Sequence, residues 1–362
     1  MIGRWTVLWI FLLSLPIPAA VDQESGETIQ EELEVARILL DVRVIDTKGN
    51  PILGLKADDF LLKRKGKKVP LLTCEWVPAA KGNLWNLDPG AVRLDVSEEE
   101  LDPESDAFWQ DPEVVTELPT GGRLVVLFFQ GDIAGDRNYG RMRMASHSRQ
   151  LVEGLTAEDY VAVVSFFSHL KIHMDFTRDH EAALAAIEDA LLNREVPNPD
   201  PDAYPSFFRF LDKWDAYNTA TPEKALTHLA LALEPYEGSK TLVFLGWGLG
   251  QDEVNFPKQS GEYKSMARAL TRARVTVFSL DVTMADFHTL ESGLRELAED
   301  TGGFYEKTHE FANQAVLKVV NTIGGYYRIS FERPDKKRPT RRYSLNLVSR
   351  KGRVLVGDPQ FW

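Results

Sequence analysis

From residue 122 onward the sequence alternates between short apolar runs and longer segments with apolar residues at helical spacing. This alternation constrains the fold more than any other feature. The run Leu124-Val125-Val126-Leu127-Phe128-Phe129 is apolar at every position. A strand of that kind must be covered on both faces, as in a parallel sheet flanked by crossover helices. The pattern predicts strands over 124–129, 160–167, 170–176, 241–245, 275–280 and 304–306. The strand over 170–176 is expected to pair with its predecessor as a hairpin. Helices are predicted over 138–155, 180–192, 207–214, 222–233, 263–273, 287–299 and 311–323, with Pro222 in the first turn of its helix. The fold class that follows is α/β: a doubly wound, mostly parallel sheet with helices on both faces.

Both ends of the chain read differently. Over 35–46, Ile38, Leu40, Val42 and Val44 alternate with polar neighbours, the mark of a half-buried strand. Thr47-Lys48-Gly49-Asn50-Pro51 is turn chemistry, and strands are predicted over 60–64 and 69–76 around Lys65-Gly66-Lys67. The tail returns to strands over 326–332, 342–348 and 353–356. These are expected to pair with the N-terminal unit as a small β sandwich built from both termini. The resulting division is a signal peptide over 1–20, a flexible leader over 21–34, the N-terminal half of the sandwich over 35–76, and an acidic proline-rich connection over 77–120. The α/β domain then spans 121–324, and the C-terminal half of the sandwich spans 325–362.

The signal peptide rests on Arg4, the apolar stretch 6–15 and the small residues after Pro16. The apolar stretch is too short for a comfortable membrane span, so no span is expected after its removal. The expected location is secreted or periplasmic; an uncleaved N-terminal anchor is the alternative. A formal net charge of −12 argues against nucleic acid and anionic lipid as partners. The single cysteine, Cys74, cannot form an internal disulfide and is expected to be a small buried hydrophobe. The segment 77–120 carries Glu98-Glu99-Glu100 and the aromatics Trp85, Phe108 and Trp109. It reads as a solvated connection pinned by its aromatics, or as a partner-binding segment.

At the level of motifs the chain resembles bacterial proteins with a von Willebrand factor A-related domain, of the kind abundant in acidobacteria. The stretches that carry this are VRVIDTKGNPILGLKADDFLLKRKGK, RLVVLFF, AEDYVAVVSFFSHLKIHMDFTRDHEAALAAI, SKTLVFLGWGLG, ARVTVFSLDV, LRELAEDTGGFYE and NTIGGYYRISFERP. The likeness covers residues 37–75 and 122–360. It implies an A-type sheet domain that binds proteins at the carboxyl edge of its strands. In such domains a divalent cation is held by D-x-S-x-S after the first strand, by a later threonine and by the Asp of T-D-G. A hard cation is suited by such carboxylate and hydroxyl oxygens.

This chain departs from that pattern. Gln130-Gly131-Asp132-Ile133-Ala134 stands in place of D-x-S-x-S, and Gly246-Trp247-Gly248 in place of T-D-G. Asn218-Thr219-Ala220-Thr221 keeps a hydroxyl at the threonine position. The resemblance therefore implies a degenerate adhesion site without a metal cofactor. The alternative is a displaced Mg²⁺ or Ca²⁺ site at Asp132, Asp136 and Thr219.

Other chemistry is weakly signalled. Gly246-Trp247-Gly248-Leu249-Gly250 lacks the third glycine of a dinucleotide loop, where Gln251 stands. His169 and His173 are four apart in a predicted hairpin, which places them about 13 Å apart on a strand and not on one metal. Ser165 and Ser279 read as core or edge residues. The basic cluster Lys336-Lys337-Arg338 with Arg341-Arg342 reads as a protected hairpin tip or a contact for an acidic partner. No nucleophile, metal or phosphate-binding motif appears. The expected function is a non-enzymatic, exported protein-binding module, an adhesion or scaffold unit. Its expected binding residues are Gln130, Asp132, Asp136, Thr219, Thr221 and Trp247, with Trp247 as the anchor. Two other classes are left open: an envelope enzyme assembled across loops, with 195–221 as its most plausible place, and a purely structural envelope component.

Overall fold

The computed structural model describes residues 37–64, 66–78, 122–131, 138–194, 196, 200, 203–253, 256–258, 260–284, 288–332 and 345–357. The described residues all belong to one compact unit. The predicted signal peptide, leader and basic hairpin tip lie outside the described residues, as does the predicted acidic connection after Pro78, its first two residues closing a strand.

The N-terminal strands are β1 (Arg37–Ile45), β2 (Phe60–Arg64), β3 (Lys67–Val69) and β4 (Thr73–Pro78). The α/β domain follows as β5 (Leu124–Gln130), α1 (Asn138–Glu153), β6 (Tyr160–Phe166), β7 (Leu170–Thr177), α2 (His180–Leu191), α3 (Lys213–Tyr217) and α4 (Pro222–Leu233). It continues as β8 (Lys240–Gly246), β9 (Gln251–Glu253), β10 (Phe256–Lys258), α5 (Tyr263–Arg272), β11 (Val275–Asp281), α6 (Glu291–Asp300), β12 (Tyr305–Lys307) and α7 (Thr308–Thr322). The closing strands are β13 (Gly325–Glu332), β14 (Leu345–Ser349) and β15 (Arg353–Leu355).

Six strands form the central sheet in the order β12-β11-β8-β5-β6-β7. All neighbours are parallel except the β6–β7 hairpin. The apolar runs explain the layering. Leu124, Val126 and Phe128 point to one face, where α4, α5 and α6 contribute Leu226, Leu229, Met266, Leu270, Leu294 and Leu297. Val125, Leu127 and Phe129 point to the other, against Leu151 and Val152 of α1, Ile187 of α2, and Val316 and Val319 of α7. Each such buried large side chain contributes about 1.5–3 kcal/mol. The expected doubly wound α/β sheet is present, and no helix among the described residues is long and apolar enough to cross a membrane.

The termini form two antiparallel sheets, β15-β1-β13-β4 and β14-β2-β3. Their shared core contains Leu40, Val42, Val44, Phe60, Leu62, Tyr327, Ile329, Phe331 and Leu347. The predicted strand over 69–76 is in fact two strands in different sheets. Pro70 has no N–H to donate, and the ladder breaks there. The predicted helix over 207–214 is likewise two pieces, a 3₁₀ turn at Phe207–Arg209 and then α3, capped by the Asp212 carboxylate on Trp214 N at 2.6 Å. Cys74 is half-buried, its thiol 3.8 Å from the Leu55 carbonyl, and burial pushes its pKa up to about 11.

Charged side chains join the sandwich to the amino edge of the central sheet. Arg43 is buried and donates to Thr276 Oγ1 at 2.8 Å and Ser239 Oγ at 3.0 Å. Arg274 grips Asp41 through two hydrogen bonds of 2.7 and 2.8 Å. Lys240, 2% exposed, donates to the Ala273 carbonyl at 2.9 Å. Burial first, and then the Arg274 charge, bring its pKa down to about 7.

Candidate functional site

β5 lies between β6 and β8, so the chain winds outward from it in both directions. In open α/β sheets ligands bind at the carboxyl ends of the strands flanking such a reversal. Phe129 pairs with Leu245, which sets Gln130 and Gly246 side by side at that edge.

Gln130 is 4% exposed, and its amide closes the edge. Its Oε1 accepts from the backbone N–H groups of Trp247 at 3.0 Å and Gly248 at 3.2 Å. Its Nε2 donates to the Gly248 carbonyl at 2.7 Å. The side chain thus fastens the loop after β8 onto the end of β5. Gly246 is required by this approach, because a Cβ there would lie 2.6 Å from Gln130 Oε1 and 2.3 Å from the Phe244 ring. Trp247 lies part-exposed over the junction, with its ring N–H 3.5 Å from the Gly131 carbonyl.

The two threonines have other work. Thr219 is buried; its hydroxyl accepts from Leu170 N at 2.7 Å and donates to the Ala216 carbonyl at 2.8 Å. It therefore clamps the loop after α3 to the start of β7 and does not present an oxygen to a ligand. Thr221 caps α4 by accepting from Lys224 N at 3.2 Å, and its hydroxyl donates to the Glu262 carboxylate. Asp132 and Asp136 lie outside the described residues. Of the predicted binding residues, the structure brings Gln130 and Trp247 together and assigns Thr219 and Thr221 to local structure.

The sequence pattern gave no sign of an aromatic group beside this edge. Trp214 and Tyr217 on α3 are 71% and 61% exposed, and Tyr217 packs on His169 of the β6–β7 turn at 4.8 Å between ring centroids. A polar cluster at the carboxyl end of β11, next to Gly246 in register, also went unpredicted. Asp281 Oδ1 accepts from Thr283 N at 2.9 Å. Its Oδ2 faces His288 Nε2 at 2.8 Å and accepts from the Tyr305 hydroxyl at 2.6 Å. Burial alone would raise the Asp281 pKa; the hydrogen bonds from His288 and Tyr305 outweigh it and hold the carboxylate below its ordinary range. Burial likewise works to raise the pKa of Glu291, in the first turn of α6, and the cations Lys307 and Arg295 bring it below its usual value. The available signal was an Asp closing an apolar strand, followed by a His and a Glu three residues apart.

A serine–histidine pair also occurs: Ser165 Oγ and His173 Nε2 are 2.8 Å apart. Both are buried, at 0% and 2% exposure, which leaves a substrate no approach. Burial brings the His173 pKa down to about 4, so the ring is neutral and serves the core.

The sequence matches no protein-family model and no curated protein. Solved structures similar to the chain include a von Willebrand factor type A protein from Catenulispora acidiphila, at 13% identity and a TM-score of 0.38, covering 56% of this chain and 43% of that one. An aerotolerance-related membrane protein from Bacteroides fragilis is similar at 16% identity and a TM-score of 0.40, over 56% of this chain and 98% of its own. The conserved hypothetical protein BatB from Bacteroides thetaiotaomicron is similar at 14% identity and a TM-score of 0.37, over 55% and 97%. This chain thus spans less than half the length of the Catenulispora protein.

Proposed function

We propose that the chain is a non-enzymatic protein-binding module of the von Willebrand A type that acts outside the cytoplasm. Its binding surface is the carboxyl edge of the central sheet around Trp247, and no cation takes part at the loop after β5. One observation carries this reading: the Gln130 amide spends both ends on the Trp247–Gly248 backbone. A cation there would need those oxygens and would meet an N–H donor instead of a carboxylate. Trp247 occupies the position of the acidic ligand and leaves a part-exposed indole at the edge, a residue suited to an interface centre. Trp214 and Tyr217 offer further exposed aromatic surface by the β6–β7 turn. Export rests on the signal-like residues 1–20.

The test is capture of a protein from a cell-envelope extract on the immobilised chain, in chelator, by wild type and by Trp247→Ala. The expected result is capture that survives chelator and is weakened at least tenfold by the substitution. Capture that requires Mg²⁺, or that ignores Trp247→Ala, contradicts the reading.

A further inference from the structure

We propose that Asp281, His288 and Glu291 form a binding site for a zinc-type transition-metal dication at the carboxyl end of β11, one strand away from the Gln130 loop. The site is independent of how Trp247 is used.

Three segments deliver the donors: the last residue of β11, the stretch before α6, and the first turn of α6. One ligand atom from each lies within 4.8 Å of the other two. The set contains one imidazole and two carboxylates. That mixture suits Zn²⁺, Co²⁺ or Ni²⁺, whereas Mg²⁺ and Ca²⁺ prefer oxygen alone. The carboxylate side chains are 0% and 11% exposed, and His288 is 19% exposed, so the imidazole marks the side open to solvent.

The geometry is close to that needed. Two ligands about 2.0–2.1 Å from a tetrahedral zinc lie roughly 3.3 Å apart. The 2.8 Å contact of Asp281 with His288 must therefore open by about half an ångström. Glu291 must move inward. Its present partners permit this: Lys307 Nζ pairs with Oε2 at 2.6 Å, and Arg295 meets Oε1 at a long 3.3 Å. Both cationic side chains are partly exposed, at 23% and 48%; Lys307 can turn to water, and Arg295 can release Oε1. Arg295 keeps its place over the Tyr305 ring at 4.6 Å. A dication then supplies Glu291 with the positive charge that these two residues now supply. Zinc takes the Nε2 lone pair, so the proton that Nε2 now shares with Asp281 passes to Nδ1 or to solvent. Tyr305, already hydrogen-bonded to Asp281, acts as an outer support that orients the carboxylate.

The experiment is calorimetric titration of the full chain with Zn²⁺, and with Co²⁺ followed by visible absorption. Wild type is compared with His288→Ala, Glu291→Gln and Asp132→Ala, each checked for folding by circular dichroism. The expected result is one zinc per chain, a tetrahedral Co²⁺ band, no heat with Mg²⁺, and at least tenfold weaker zinc binding in both His288→Ala and Glu291→Gln. Glu291→Gln keeps the size of the side chain and still reads the site where loss of His288 disturbs its loop. Absence of zinc binding by wild type, or binding unchanged in both variants, overturns the proposal. Loss of zinc binding in Asp132→Ala alone would place the ion at the loop after β5, and would overturn the metal-free reading of that loop as well.

Discussion

Gln130 shows how a single side chain can fasten a facing loop. A carboxylate in its place would offer oxygens alone; the amide offers one acceptor and one donor, and both are matched by the backbone of the facing loop. A buried Lys240 illustrates the same dependence on surroundings at the opposite edge of the sheet. The unfolded amine keeps its proton up to about 10.5, and the folded one only up to about 7. Between those values unfolding takes up a proton, so stability rises with pH across the window and is insensitive to this group below it. Urea unfolding at pH 7 and pH 9 is expected to show a higher midpoint at pH 9 in wild type, and a smaller rise in Lys240→Met. An equal rise in both would detach the effect from Lys240.

At the scale of elements, the same physics decides what the sequence reveals. β2 and α4 begin and end where the pattern predicts, because alternation ends at Lys65-Gly66 in one case and Thr221-Pro222 opens the other. The predicted helix over 287–299 begins later, at Glu291, and the β9–β10 hairpin escaped prediction because its two short strands carry Asp252 and Pro257 and no apolar alternation. Sites assembled from several elements were less legible. Gln130 and Trp247 could be singled out from their loops, but nothing in the linear pattern tells that the Thr219 hydroxyl belongs to Leu170 N. Nor does it tell that Asp281 meets Tyr305 across a strand pair. Thr219 is a clamp between α3 and the β6–β7 hairpin, so Thr219→Val leaves a buried N–H unsatisfied. It is expected to cost about 1–3 kcal/mol, read as a lower denaturant midpoint. A change confined to ligand binding, with stability intact, would return Thr219 to the binding surface.

For the whole molecule, the sheet order places the reversal point and the Asp281 cluster on one edge, and the sandwich junction on the other. The proposed binding edge works without a hard cation at the loop after β5. The most direct test of this is thermal unfolding of the chain in Mg²⁺ or Ca²⁺ against chelator, with Asp132→Ala alongside. An ion that binds only the folded state at a hundred times its dissociation constant adds about 2.7 kcal/mol, which moves the melting temperature by several degrees. Superimposed curves are expected with either ion and with chelator. A rise of several degrees that disappears in Asp132→Ala would contradict this and restore a working cation site at Asp132.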